Sequence, residues 1–184
     1  MNEKVGGFLE VGIDEGSAEV VINHPDLKAD ENGVGHIIFS PKQARDLAQL
    51  LLTKAGDAER LAREREEARR VASLPPVDWS ARTLADGSPV TEDHREINPA
   101  TGQQKDYVVL SDEERKKGFV RPVRRSYKHL KCGTVTTMGY AIAETYAREP
   151  QFYSGTFCCQ CRSHFPVGAE GEFVWVDDGT KVGT

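Results

Sequence analysis

Apolar and polar positions alternate at the start of this chain and then change to helical spacing. Residues 7–14 (GFLEVGID) and 17–23 (SAEVVIN) alternate in part and carry β-branched or aromatic residues, which predicts two short strands. Glu15-Gly16 between them suits a tight hairpin. Val34–Phe39 (VGHIIF) predicts a third strand, and three strands are about the minimum for a sheet that holds without help. At Ser40-Pro41 the period changes: Ser is a good N-cap and Pro a good first helical residue. Ala44, Leu47, Ala48, Leu51 and Ala55 then recur as a helical stripe, which predicts a helix against the sheet. Gly56 weakens the helix locally, but strong helix formers continue to residue 72. The apolar face of that second part is thin (Ala58, Leu61, Ala62, Ala68), so it reads as a solvated helix rather than a partner-binding one. It lacks the sustained heptads of a coiled coil.

From 73 to 111 the pattern breaks into turn chemistry: Leu74-Pro75-Pro76, Asp86-Gly87-Ser88-Pro89 and Asn98-Pro99-Ala100-Thr101-Gly102. This predicts an irregular linker holding one hairpin, with its turn at Pro99–Gly102 and a strand at Asp106–Leu110. Ser111-Asp112-Glu113-Glu114 opens a short helix that Gly118 ends. Thr136-Thr137 is expected to cap a second helix (TMGYAIAETYARE), with Met138, Ala141, Ile142 and Tyr146 on one face and Pro150 closing it. Strands are expected at Gly155–Phe157 and Glu172–Val176, the latter turning at Asp178-Gly179 into a return strand at Lys181-Val182. The expected fold class is α+β. An N-terminal three-stranded antiparallel sheet with a long helix fills 1–72, 73–111 links, and 112–184 forms a zinc-ribbon-like module with an inserted helix and a terminal β-hairpin.

Composition narrows the function classes. Of 184 residues, 38% are hydrophobic and 29% charged, so the core is modest and a metal staple would matter. There is no run of eighteen apolar residues, so no membrane partner is expected. A basic stretch followed by an apolar one is missing from the N-terminus, and the expected compartment is the reducing cytoplasm. The net charge of −5 is uneven: residues 1–111 carry 13 Lys and Arg against 20 Asp and Glu, and residues 112–184 carry 11 against 9. The acidic half argues against a protein that coats nucleic acid along its whole surface.

All four cysteines lie between 132 and 161. Three fall within four residues, a poor spacing for two disulfides and a good one for metal. His129-Leu-Lys-Cys132-Gly133 and Cys158-Cys159-Gln160-Cys161 each place two soft ligands two residues apart, which lets one turn of chain bring both to a single ion. The expected site is a closed zinc centre of His129, Cys132, Cys158 and Cys161, with His164 as the alternative fourth ligand. Cys159 is off the favoured spacing, and His24, His36 and His94 read as ordinary surface or core imidazoles. Three thiolates and one imidazole leave no open position and quench Lewis acidity, so no enzyme is expected. Nucleic-acid deaminases share His/Cys/Cys ligation, but their His-x-Glu and Pro-Cys-x-x-Cys are missing here.

Residues 115–131 carry eight Lys or Arg and no acid, interleaved with Phe119 and Tyr127. Arg121, Arg124, Arg125, Lys128 and Lys131 are therefore candidates for nucleic-acid contact, against a plain solvated strand that pairs with acidic residues elsewhere. Residues 113–167 resemble the C-terminal part of uncharacterised proteins encoded in bacterial genomes, phages and prophages. The resemblance implies a bacterial or viral origin and a role in the host cytoplasm, and it implies no activity. The resulting expectation is a non-catalytic, zinc-stabilised accessory protein that binds a protein partner. The alternatives are a nucleic-acid-binding regulator working through 115–131 and a redox-active thiol protein using Cys158–Cys161.

Overall fold

Ser40 starts the longest element with a reciprocal cap: its hydroxyl accepts the Gln43 amide at 3.3 Å, and the Gln43 side chain accepts the Ser40 amide at 2.9 Å. In the computed structural model, which describes residues 3–5, 9–23 and 40–184, helix α1 then runs unbroken from Pro41 to Ala72. Gly56 does not interrupt it, and nothing lies within 4 Å of where its Cβ would be. The chain divides into two units, Met1–Ala72 and Ser73–Thr184.

In the first unit, β1 (Glu3–Val5), β2 (Leu9–Asp14) and β3 (Glu19–Asn23) form an antiparallel sheet in the order β1-β2-β3. The stretch expected as one strand at 7–14 contributes β2, and a separate edge strand precedes it. The strand expected at 34–39 lies outside the described residues. The β2–β3 turn is wider than Glu15-Gly16 alone: the Asp14 carboxylate accepts the amides of Gly16 at 2.6 Å and Ser17 at 3.2 Å, and Ala18 takes a φ of 59°. Val11 is fully buried against Val20, Leu47, Leu50 and Leu51, which joins α1 to the sheet. Leu50 replaces part of the expected alanine stripe. Beyond Ala58, α1 is laced along its surface by pairs such as Arg60–Glu64 and Arg70–Glu67. No described helix is long and apolar enough to cross a membrane.

The second unit absorbs the stretch expected as a linker. Within 73–111, β4 (Arg82–Leu84) pairs antiparallel with β5 (Val108–Leu110), with a 3-10 turn at Glu92–Arg95 between them. The Asn98–Gly102 turn closes onto a bridge between Ile97 and Gln104. Turn-rich chain is ordered here because Leu84, Val109 and Leu110 are buried. Helix α2 (Asp112–Arg115) follows, with Ser111 as its N-cap.

A three-stranded sheet in the order β10-β6-β7 is built from β6 (Ser126–His129), β7 (Val135–Thr137) and β10 (Phe173–Trp175). Strand β7 occupies the place expected for the start of a helix. Val135, Thr136 and Thr137 are β-branched and pair with β6, and the Thr137 and Ser126 hydroxyls meet at 3.2 Å across the strands. Helix α3 therefore spans only Tyr140–Arg148, after Gly139. Strands β8 (Gly155–Cys158) and β9 (Ser163–Pro166) form a separate hairpin. The return strand expected at Lys181-Val182 is a single bridge, Val174 to Lys181. Tyr127, Met138, Ala143, Tyr146, Cys158, Phe173, Trp175 and Val182 make the core of this unit.

Candidate metal centre

Two hairpin turns build the site, and their backbones follow one plan. His129 ends β6 and Cys158 ends β8. Three residues later, Cys132 and Cys161 sit on the turns. Each is followed by a residue of positive φ, Gly133 at 74° and Arg162 at 51°. The amides of those residues reach back to the strand ends: Gly133 donates to the His129 carbonyl at 2.8 Å and Arg162 to the Cys158 carbonyl at 2.9 Å. The left-handed residue turns the chain so that both side chains of each pair point inward. Glycine does this without strain, whereas arginine does it against its Cβ.

The two turns meet. One ligand atom from each of His129, Cys132, Cys158 and Cys161 lies within 4.8 Å of every other. His129 Nδ1 is 3.3 Å from Cys132 Sγ and 3.5 Å from Cys161 Sγ, and the sulfurs of Cys132 and Cys158 are 3.6 Å apart. A tetrahedron with zinc–sulfur bonds of about 2.3 Å has edges of about 3.8 Å, so the four groups are spaced to hold one tetrahedral ion. His129 and Cys158 are buried, while Cys132 and Cys161 form the exposed rim.

His129 is fixed on every side. It is 1% exposed and stacks between Phe165 and Phe173, with ring centroids 4.6 and 4.7 Å away. Its Nε2 donates to the Glu172 carboxylate at 2.9 Å, leaving the Nδ1 lone pair for the cluster. Lys131 holds the other Glu172 oxygen at 2.8 Å. These two partners, His129 first, draw the Glu172 carboxyl below its ordinary range.

Ionisation is uneven among the sulfurs. The Thr134 amide, followed by its hydroxyl and the neighbouring ligands, lowers the Cys132 thiol to about 6. Burial, then the sulfurs of Cys158 and Cys132, pushes Cys161 up to about 12. Without a positive ion one thiolate forms readily and a second beside it does not.

Other sequence candidates lie elsewhere. His164, the alternative fourth ligand, is outside the cluster. It pairs in register with Phe157 rather than Cys158, so the pleat sends it to the other face, where its Nε2 meets the Tyr107 hydroxyl at 3.0 Å. Burial lowers its pKa there. Cys159 faces β7, where its amide donates to the Thr136 hydroxyl at 3.3 Å. Most of the basic candidates are engaged by other groups of the chain. Arg124 pairs with Asp178 at 2.6 Å, Arg125 donates to the Met138 carbonyl at 3.0 Å and lies over the Tyr140 ring, Lys131 is held by Glu172, and Arg121 reaches the Thr184 carbonyl at 3.3 Å. Lys128 is exposed on β6. Sequence reasoning missed Glu172. A carboxylate 43 residues from its histidine carries no spacing signal, although its place as the first residue of the strand expected at Glu172–Val176 was legible. Comparison with known proteins finds no matching family model, no similar curated protein and no similar solved structure.

Proposed function

We propose that this chain is a non-catalytic, zinc-stabilised binding protein, with the metal clamping two ribbon-like hairpins of its second unit. The carrying observation is the Glu172–His129 hydrogen bond, which presents Nδ1 to three sulfurs at tetrahedral spacing. His129, Cys132, Cys158 and Cys161 would hold the ion, and its role there is electrostatic and structural. Three sulfurs and one imidazole fill a four-coordinate shell, so no position is left for a reacting water. Iron would accept similar sulfur ligands, but zinc is the natural occupant of a mixed Cys3His tetrahedron. The partner class expected from the sequence, a protein, and the bacterial or phage setting implied by the resemblance belong to this reading. A redox role for Cys158 and Cys161 loses support, because both sulfurs face a third and a histidine. Metal removal tests the proposal: chelation should lower the melting temperature of the second unit and expose its aromatic core. If metal-depleted protein melted like the loaded protein, the structural role would be refuted.

A further inference from the structure

A groove of about 750 Å³ opens on the second unit, within the size range of small-ligand sites. Its position and lining set it apart from the metal centre. None of its lining residues is Asp or Glu, in a chain of net charge −5. Two arginines face it, Arg82 on β4 and Arg95 in the 3-10 turn, and neither side chain makes an ion pair or hydrogen bond among the described residues. Elsewhere in the same unit, arginines such as Arg115, Arg124 and Arg148 are each held by a carboxylate. Two unpaired guanidinium groups beside one acid-free hollow favour an anion.

The groove also carries a stacking platform. Trp79 is 48% exposed although it is locked in place by Phe152, with ring centroids 5.5 Å apart and planes at 13°. Phe152 is braced in turn by an edge contact to Tyr153 at 4.8 Å. A fixed, flat and open indole face costs little entropy to stack upon. Gln104 in the same lining adds an amide able to donate and accept at the edge of a ring.

We propose that this groove binds a nucleotide, its base stacked on Trp79 and its phosphate paired with Arg82 and Arg95. Planar aromatic and phosphate are the two chemistries that this lining recognises together. The unit recognised is the same whether the nucleotide is free or part of a single strand. The groove lies outside the basic 115–131 segment, and the proposal stands whether or not the metal centre holds zinc.

The test titrates the full-length protein with AMP and UMP by isothermal titration calorimetry, and with fluorescein-labelled dT12 and U12 by anisotropy. Four variants are run in parallel: Trp79→Ala, Trp79→Phe, the pair Arg82→Glu with Arg95→Glu, and Lys128→Glu. All four positions are exposed, and unchanged melting of each variant shows that the fold is intact. Saturable binding is expected, weakened roughly tenfold to a hundredfold by Trp79→Ala, largely retained in Trp79→Phe and abolished by the paired charge reversal. Mononucleotide binding equal to oligonucleotide binding identifies a free nucleotide, and tighter oligonucleotide binding identifies a single strand. No binding by any probe overturns the proposal. So does binding indifferent to Arg82 and Arg95 but lost in Lys128→Glu, which would return the site to the basic segment.

Discussion

At the scale of single residues, the candidate centre depends on groups that orient its ligand atoms without being ligands themselves. Glu172→Gln keeps the shape of the side chain but weakens its hold on Nε2 of His129. A tenfold to hundredfold loss of metal affinity is expected, measured by competition with a chromogenic chelator. Unchanged affinity would mean that the Phe165–His129–Phe173 stack alone fixes the imidazole. Protons compete for the same site. Cys132 is lowered to about 6 and Cys161 raised to about 12, so near pH 7 binding must displace protons from the cluster. Affinity should therefore fall as the pH drops and fall more steeply below about 6, where Cys132 also keeps its proton. A titration of metal release against pH reads this directly, and a flat profile from 8 to 5 would contradict it. A third residue concerns stability alone. The Tyr146 hydroxyl is buried in the core without a hydrogen-bond partner among the described residues. Tyr146→Phe should leave thermal stability unchanged or raise it by about 1 kcal/mol, because an unmet buried hydroxyl is itself destabilising.

At the scale of elements, α2 and α3 are tied by an ion pair that the sequence concealed. Glu114 and Arg148 are each 1% exposed; Arg148 donates Nη2 to Glu114 at 2.9 Å and to the Pro75 carbonyl at 2.6 Å. Lys117 also meets Glu114. Desolvation opposes charge on Glu114, but Lys117 and Arg148 together hold its carboxyl below the ordinary range. Its contribution is present above the unfolded pKa and is lost as pH falls through the lower, folded one. Arg148→Met leaves the buried Glu114 carboxylate with Lys117 as its one cationic partner and should cost about 2–4 kcal/mol in chemical denaturation, whereas combining it with Glu114→Leu should recover most of that loss. If the single and double variants were equally unstable, the pair would matter for packing and not for charge. The hidden arginine also marks the limit of reading elements from pattern. Ser111–Glu114 was legible as a helix start because capping is local. Arg148 carries no local signal of its burial, and only the fold brings it to a glutamate 34 residues away. For the same reason Thr136-Thr137 resembled a cap. Their hydroxyls suit either role, and pairing with β6 decided between them.

At the scale of the whole molecule, the Cys3His cluster, a candidate metal site, was the most legible feature. Two x-x spacings and a following glycine are local properties of two turns, and a tetrahedral ion needs little more. The choice of His129 over His164 was only partly visible, because it depends on which face of β9 the pleat presents. Ordering of 73–111 was visible only at its C-terminal end, in the strand expected at Asp106–Leu110; the turns before it are obvious in sequence, but the pairing of β4, with buried Leu84, onto that strand carries no local signal. The acid-free groove escaped for a similar reason, since Trp79, Arg82, Arg95 and Phe152 come together only in the folded second unit. Metal stoichiometry bears most directly on how that unit is held. Elemental analysis of purified protein, with His129→Ala and His164→Ala beside it, should find one zinc per chain that is lost or loosened in His129→Ala and retained in His164→Ala. Zinc-free wild-type protein that is fully folded, or zinc that leaves only with His164, would contradict the centre described here.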